Sequence, residues 1–347
     1  MLYPLSYGSG TSAFRFASHP PNEWCPILRL LESQSPQLLL PASDGQGRAK
    51  NHQLISRGRC DGNVGGDLVK TKPSDLLNLD HYPLDQHETS SFQELIARSQ
   101  SDMAELGYVE LPHFITEQAT GALIDDAERL ATRAFRSHGP GTAYLELPDE
   151  TQWPEGHPRR RWQPYGVGAV SYDLIPLHSP LRALYESDLL LRFLEAVLNR
   201  GPLFRYADPF GALNLAVMGE GDELQWHFDQ TDFVVSLAIQ HADEGGNFDV
   251  VPKIRTTGDE HYDDVAAVLN GDHSKMVTLP MTPGTLLIFE GRNSIHRVSP
   301  LSGPTKRYVG LLAYDTKADT MSSDLLRTVR YGRTQAFATP PTDWPLT

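Results

Sequence analysis

Apolar positions recur every three or four residues through the middle of the chain, and in short runs with turns between them beyond residue 200. Phe92, Leu95, Ile96, Met103 and Leu106 share one helical face that ends at Gly107, and Tyr108–Leu111 then reads as a short strand. Thr116 can offer its hydroxyl to the open amides of a second helix, whose apolar stripe is Ala119, Leu123, Ile124, Ala127, Leu130, Ala131, Ala134 and Phe135. Ser179 followed by Pro180 pairs an N-cap with a proline at the first helical position, and opens a third helical stretch to about Asn199.

The later runs are Ala212–Met218, Leu224–Phe228, Phe233–Gln240, Asn247–Val251, Lys275–Leu279, Thr285–Phe289, His296–Val298 and Arg307–Tyr314. Gly219-Glu-Gly221, Glu244-Gly-Gly246, Thr282-Pro-Gly284 and Ser302-Gly-Pro304 punctuate them as turns. Many short strands with Gly/Pro turns predict a sandwich or jelly roll, and helices that precede strands predict helices packed on its outer face. The expected class is α+β, mainly β. Residues 86–347 are expected to form one domain, with a helical part at 86–200 and a β core at 205–315. Residues 1–85 show Ser, Gly, Pro and Asn clusters without a period, apart from a hint of helix at Ile27–Leu31, and are expected to be an irregular extension. Several arginines, many serines and few acids there also admit a transit peptide, but a plain tail is the favoured reading, with a cytoplasmic location.

Composition narrows the function. Among 347 residues, 39% apolar and 21% charged describe a soluble globular protein, and 30 Lys+Arg against 44 Asp+Glu leave a net charge of −14. Nucleic acid is therefore not expected as a partner, because phosphate binding needs a concentrated basic surface. Cys25 and Cys60 are too few for a disulfide scaffold or a cysteine-rich zinc site. No run of about 18 apolar residues is present to span a membrane. Oligomeric state has no signal in the sequence.

The chemistry gathers around Gln225-Trp-His-Phe-Asp229. His227 and Asp229 stand two apart on a predicted strand, so an imidazole and a carboxylate face the same way. A lone His-x-Asp is common by chance. Here, however, the strand Thr285–Phe289 leads to His296, and Arg307 opens the strand after it. Two histidines and one carboxylate make the facial triad of non-haem Fe(II) oxygenases, which leaves three adjacent coordination positions for a chelating co-substrate and dioxygen. A buried arginine suits the far carboxylate of such a chelator, since its planar fork binds both oxygens at once.

The ordered set His227-x-Asp229, Gly245-Gly246-x-Phe248, Pro252, Pro283–Phe289, His296-x-Val298-x-Pro300 and Arg307 resembles the Fe(II)/2-oxoglutarate-dependent oxygenases, closest in style to their prolyl-hydroxylase-like and phytanoyl-hydroxylase-like branches. The resemblance spans roughly residues 90–330, with its specific motifs between 210 and 315. It implies a double-stranded β-helix, with His227, Asp229 and His296 as iron ligands and Arg307 as anchor for the distal carboxylate of 2-oxoglutarate, and with dioxygen as the second co-substrate. Strand parity adds Gln225 as a contact to the co-substrate, Asn214 is a candidate of the same kind as a polar residue inside an apolar strand leading to the motif, and Ser236 and Gln240 share a face that can line the site. Two positions depart from the pattern. Val217 stands where some members carry a tyrosine, and Arg307-Tyr-Val309 replaces an Arg-x-Ser anchor, so the second partner of the distal carboxylate is unassigned. Related halogenases vacate the carboxylate position to bind halide, so Asp229 implies oxidation without halogenation.

The expected activity is 2-oxoglutarate-coupled C–H oxidation of a small molecule, an amino acid or natural-product intermediate, by hydroxylation, desaturation or ring closure. A protein side-chain hydroxylase or oxygen sensor, and a non-oxygenase metal-binding jelly roll or zinc hydrolase, stay open as alternatives. Arg159 and Arg161 are candidate holders of a substrate carboxylate, and Arg292 and Arg297 candidate salt-bridge partners beside the second histidine. His241 is a candidate at the border of the site. Trp226 is expected in the core. Tyr206, Phe210 and Phe228 are expected to pack, with a pocket wall as the lesser reading.

Overall fold

The structure, a computed structural model, describes residues 72–337. The hinted helix at Ile27–Leu31, both cysteines and most of the expected extension lie outside the described residues. The chain is already packed ahead of residue 85: a short helix at Pro73–Leu76 and the segment after it bury Leu76, Leu77, Tyr82 and Leu84 in the main core, and the Tyr82 hydroxyl donates to the carbonyl of Pro112 at 2.7 Å.

The helices follow their sequence signals. The helix Ser90–Leu106 has the Thr89 hydroxyl on the amide of Phe92 and ends at Gly107 with φ 77°, a left-handed turn that glycine adopts without a Cβ clash. Thr116 caps the helix Glu117–Ala131 through the amide of Ala119. The expected stripe ran too far at its end: Ala134 lies past the helix, and Phe135 begins a strand. The third helical stretch is two helices, Pro180–Tyr185 and Asp188–Leu198, because Ser187 breaks the run and caps the second one.

Among the described residues, fifteen strands carry the rest. In order they are β1 Tyr108–Leu111, β2 Phe135–Thr142, β3 Trp162–Val170, β4 Phe204–Arg205, β5 Leu213–Met218, β6 Leu224–His227, β7 Val234–Gln240 and β8 Glu244–Gly245. They continue as β9 Phe248–Val251, β10 Val277–Leu279, β11 Leu286–Phe289, β12 Ile295–Val298, β13 Leu301–Ser302, β14 Arg307–Leu312 and β15 Tyr314–Asp315. Eleven form one antiparallel sheet in the order β1-β11-β7-β14-β5-β3-β6-β12-β9-β10, with β2 on β3. The sheet curls into a double-stranded β-helix, as expected. The eight runs read from the sequence each fall on observed strands. The hairpin of β2 and β3, the helix Tyr262–Leu269 and the helix Asp324–Tyr331 add to the elements expected from the sequence.

Strand parity decides which residues face the interior. On β5, Leu213, Leu215 and Val217 join the core under the helices, while Ala216 and Met218 join an inner cluster with Val167, Val298 and Val309. On β14, Tyr308 and Leu312 face the helices, whereas Arg307 and Val309 stand on the inward side. Val217 therefore points away from the barrel interior. The helix-side core is large and aliphatic, and burial there holds the barrel's shape while leaving its inner face free for polar groups.

Candidate metal centre and its pocket

His227 ends β6 and His296 lies on β12, and the two residues oppose each other directly in the ladder. Their rings are 4.3 Å apart, and Asp229, two residues past the strand end, closes the group. The ligand atoms of His227, Asp229 and His296 all lie within 4.8 Å of one another, and His296 Nε2 is 3.2 Å from Asp229 Oδ2. Two ligands each about 2.1 Å from one ion and at right angles would be about 3.0 Å apart. The cluster fits a facial set.

The imidazoles are oriented by their own backbone. His227 Nδ1 is 2.7 Å from the carbonyl of Gln225, and His296 Nδ1 is 2.9 Å from the carbonyl of Ser294. A proton on each Nδ1 satisfies these carbonyls and leaves the Nε2 lone pair for a metal. Burial, and then the neighbouring His296, push His227 down to about 4, so it is neutral at pH 7. Burial alone would raise Asp229, but His296 and then His227 hold its carboxyl down to about 2, so it is ionised. Phe248 stacks on His296 and Phe289 meets it edge-on, with ring centroids at 5.5 and 4.9 Å. These aromatic walls keep the buried side of the cluster apolar.

Several contacts lock the two ligand segments together. The amide of Asp229 donates to the carbonyl of Gly291 at 3.0 Å. Arg255 spans both segments: its guanidinium lies 3.8 Å from the ring centre of Phe228 and its Nε donates to the carbonyl of Arg292 at 2.7 Å. Arg255 carries no signal in the sequence, because a cation between two loops has no period.

Arg307 sits on the inward face of β14, buried, opposite Met218. Its nearest polar contact is the Met218 sulfur at 3.9 Å, and no carboxylate pairs with it among the described residues. Burial pulls its guanidinium down to about 10, which still leaves it charged at neutral pH. A buried cation without a counter-ion is costly, so the place is built for an anion. His241 lies beside it: burial and the charge of Arg307 both lower its pKa.

The remaining candidates divide. Asn214 is buried on the inward side of β5, and its Oδ1 has no hydrogen-bond partner among the described residues. Ser236 is buried opposite Leu311, as Asn214 is from the other side of β14, so the two share a level across β14. The Gln225 amide is bonded to Glu223, and its carbonyl serves His227, so this residue acts on the cluster through its backbone. Gln240 donates to the carbonyl of Lys306 at 2.9 Å. Arg159 pairs with Glu146 and Glu260 and donates to Tyr262, while Arg161 bonds Asn270 and the carbonyl of Leu269, so neither is free for a substrate. Arg292 pairs with Asp232 at 2.6 Å and Arg297 with Asp249 at 2.8 Å. Trp226 and Phe228 are buried together in a cluster with Val251 and Ile295, and Phe210 packs on Tyr331.

No helix among the described residues is long and apolar enough to cross a membrane. No curated protein matches the chain. Among solved structures it is similar to AviO1 from Streptomyces viridochromogenes Tue57 at 20% identity, covering 64% of this chain and 95% of that one with a TM-score of 0.44. It is similar to a Pseudomonas putida prolyl-4-hydroxylase at 14% identity, covering 62% and 97% with a TM-score of 0.39. A further likeness is to an oxidoreductase of the 2OG-Fe(II) oxygenase family from Burkholderia pseudomallei, at 15% identity, 64% and 91% coverage and a TM-score of 0.41. The Halogenase D family model matches residues 92–329, a span that takes in the curled sheet and the whole His227–Asp229–His296 cluster, and the chain belongs to that family.

Proposed function

We propose that the protein is a non-haem Fe(II) oxygenase that couples decarboxylation of 2-oxoglutarate to C–H oxidation of a small organic molecule, an amino acid or natural-product intermediate. The observation that carries this reading is the pairing of a three-ligand cluster with an uncompensated buried arginine in one barrel. A zinc hydrolase has use for the first but none for the second. Nucleic acid and membranes have no place in the reading.

Iron, when bound, supplies the redox chemistry by which 2-oxoglutarate, dioxygen and R–H become succinate, carbon dioxide and R–OH. The chain's own groups do the rest. His227 and His296 present neutral Nε2 atoms, and Asp229 presents one carboxylate oxygen, leaving the opposite face of the cluster open. Arg307 holds the distal carboxylate of the co-substrate by its fork, with His241 beside it as candidate second partner. Asn214 turns a free acceptor toward the same interior. Phe248, Phe289 and Val298 exclude water from the buried side, which strengthens each of these contacts. Desaturation or ring closure of the substrate would use the same machinery.

The family name points to halogenation, and this is the second reading. Asp229 argues against it, because it fills the position that halogenating relatives leave open for halide. The test is succinate release by the Fe(II)-loaded protein with 2-oxoglutarate, chloride and free amino acids, followed by the mass of the product. The reading expects succinate that depends on iron and a product that gains oxygen. A chlorinated product would establish the halogenase, and succinate formation indifferent to iron would remove the oxygenase altogether.

A further inference from the structure

We propose that Asn214 and Ser236, which flank Leu311 on the inner face of the barrel at the level of the metal cluster, receive an N–H or O–H group of an amino-acid substrate. The assignment rests on the oxygenase reading above and adds two specificity residues to it.

The placement follows from strand register. Asn214 of β5 and Ser236 of β7 both oppose Leu311 of β14, so the three side chains form one row across the sheet. The row lies on the inner face. Two residues along from Asn214 and Leu311, Ala216 and Val309 pack with Val298 of β12. Two residues along from Ser236, Ala238 packs with Phe248 and Phe289, the rings around His296. The height of the row is fixed in the same way. Arg307 opposes Met218 at the other end of β14 and β5, four residues from Leu311, or about 13 Å along an extended strand. Short connections join β6 to the end of β5 behind it and to the start of β7 ahead of it. The strand therefore begins beside Met218, and His227 and Asp229 come up where β7 starts. There Val234, two residues before Ser236, opposes Phe289, whose ring meets His296 edge-on at 4.9 Å. Asn214, Leu311 and Ser236 thus face the cluster, and Arg307 lies deeper.

Both polar residues are buried without being used by the fold. Asn214 is 7% exposed and Ser236 4%, yet Asn214 Oδ1 has no hydrogen-bond partner among the described residues, and no hydrogen bond involves the Ser236 hydroxyl there. By contrast, the side-chain amides of Gln225 and Gln240 are bonded within the chain, to Glu223 and to the carbonyl of Lys306. An enclosed carbonyl oxygen without a donor is unfavourable, and a ligand's N–H or O–H offsets that cost. 2-Oxoglutarate is the wrong ligand for it. As a dianion it carries acceptors only, and the reading above gives its distal carboxylate to Arg307, below the row. An amino acid carries donors. Leu311, half-buried between the two polar groups, adds an apolar contact for the carbon beside the donor. A substrate held at two points in front of the metal has one C–H bond turned toward it, and orientation of that kind is what the oxidation needs.

The experiment loads the full-length protein anaerobically with Fe(II) and 2-oxoglutarate and follows the weak visible charge-transfer band. The probes are the free L-amino acids and the same amino acids fully methylated at their amine, amide and hydroxyl groups. At least one amino acid is expected to shift the band, and its methylated form to bind about tenfold more weakly or worse. Asn214→Leu and Ser236→Ala should each weaken that amino acid about three- to tenfold, the size of one lost hydrogen bond, while the 2-oxoglutarate needed to form the band stays within about twofold of wild type. Asn214→Leu should not lower the midpoint of thermal unfolding, because the carbonyl oxygen it removes has no partner within the fold. Free and methylated forms acting alike, or unaltered amino-acid binding in both variants, would overturn the assignment. So would a loss confined to 2-oxoglutarate, which would give the pair to the co-substrate, or a lowered midpoint, which would make the amide a structural group. A wild-type protein that forms no band at all would remove the oxygenase reading, and this assignment with it. A band that forms and then ignores every amino acid would remove this assignment alone.

Discussion

Gly291 lies against Asp229, the proposed carboxylate ligand, and a single methyl group there should cost the proposed metal site its geometry. A Cβ built on Gly291 would be 2.9 Å from Asp229 Cβ and 3.0 Å from its Cγ, with Oδ2 nearer still. Carbon atoms settle at about 3.5 Å or more, so Gly291→Ala must displace the Asp229 side chain by at least about 0.5 Å. The backbone cannot absorb this freely, because the amide of Asp229 is bonded to the carbonyl of Gly291 at 3.0 Å. Metal coordination tolerates about 0.2 Å. The carboxylate is therefore expected to leave the first coordination sphere or to bind strained, with a loss of about 10- to 100-fold in Fe(II) affinity, comparable to removing an orienting partner. Calorimetric titration of Fe(II) or Co(II) under argon measures it, and circular dichroism checks that the fold persists. Wild-type affinity in Gly291→Ala would refute the steric argument.

Three further perturbations probe other parts of the account. Arg255→Met removes the bond to the Arg292 carbonyl and the cation over Phe228, and should lower metal affinity about tenfold in a chelator competition, whereas equal affinity would show that the two ligand segments hold without it. Asp208→Ala leaves Arg327 buried without its main partner and frees the amides of Phe210 and Ser322; urea unfolding should show a loss of about 3 kcal/mol, and a loss under 1 kcal/mol would contradict the pairing. Asp173 is pushed up by burial but held below its ordinary value overall by Arg333, the amide of Phe337 and Ser171. A folded pKa below the unfolded value of about 3.9 stabilises above that value and is lost as pH falls through the folded one. The Tm difference between wild type and Asp173→Asn should therefore be full at pH 7 and shrink below about pH 4, and a difference independent of pH would count against the ion pair.

Much of this site was legible in the sequence because its parts obey local rules. Two-residue spacing put His227 and Asp229 on one side of a strand end, and the Pro283-Gly284 turn fixed where the strand to His296 begins. The inward position of Arg307 follows from alternation along β14 once Tyr308 and Leu312 are committed to the helix-side core. What escaped depends on contacts between distant segments. Arg255 and Gly291 act by meeting Phe228, Arg292 and Asp229 across loops. The helix Asp324–Tyr331 buries an arginine, Arg327, beside Tyr331, and Arg327 is accommodated there by the carboxylate of Asp208 from a distant segment. The β2–β3 hairpin contains Gly139, Gly141, Gly166 and Gly168 with Pro140 and Pro164, residues that usually mark turns, and it becomes a strand pair through eight consecutive ladder partners. Gln225 shows the limit of parity: the position was identified, but its amide is taken by Glu223 and its carbonyl does the positioning.

On the proposed function, one barrel binds a divalent iron and a 2-oxo dicarboxylate side by side. Anaerobic titration of Fe(II) and 2-oxoglutarate, read by the visible charge-transfer band of the chelate, tests it most directly. A band is expected in the wild-type protein that is lost in His227→Ala and Asp229→Ala, and that needs far more 2-oxoglutarate in Arg307→Gln. No band, or a band that survives loss of those ligands, would contradict it.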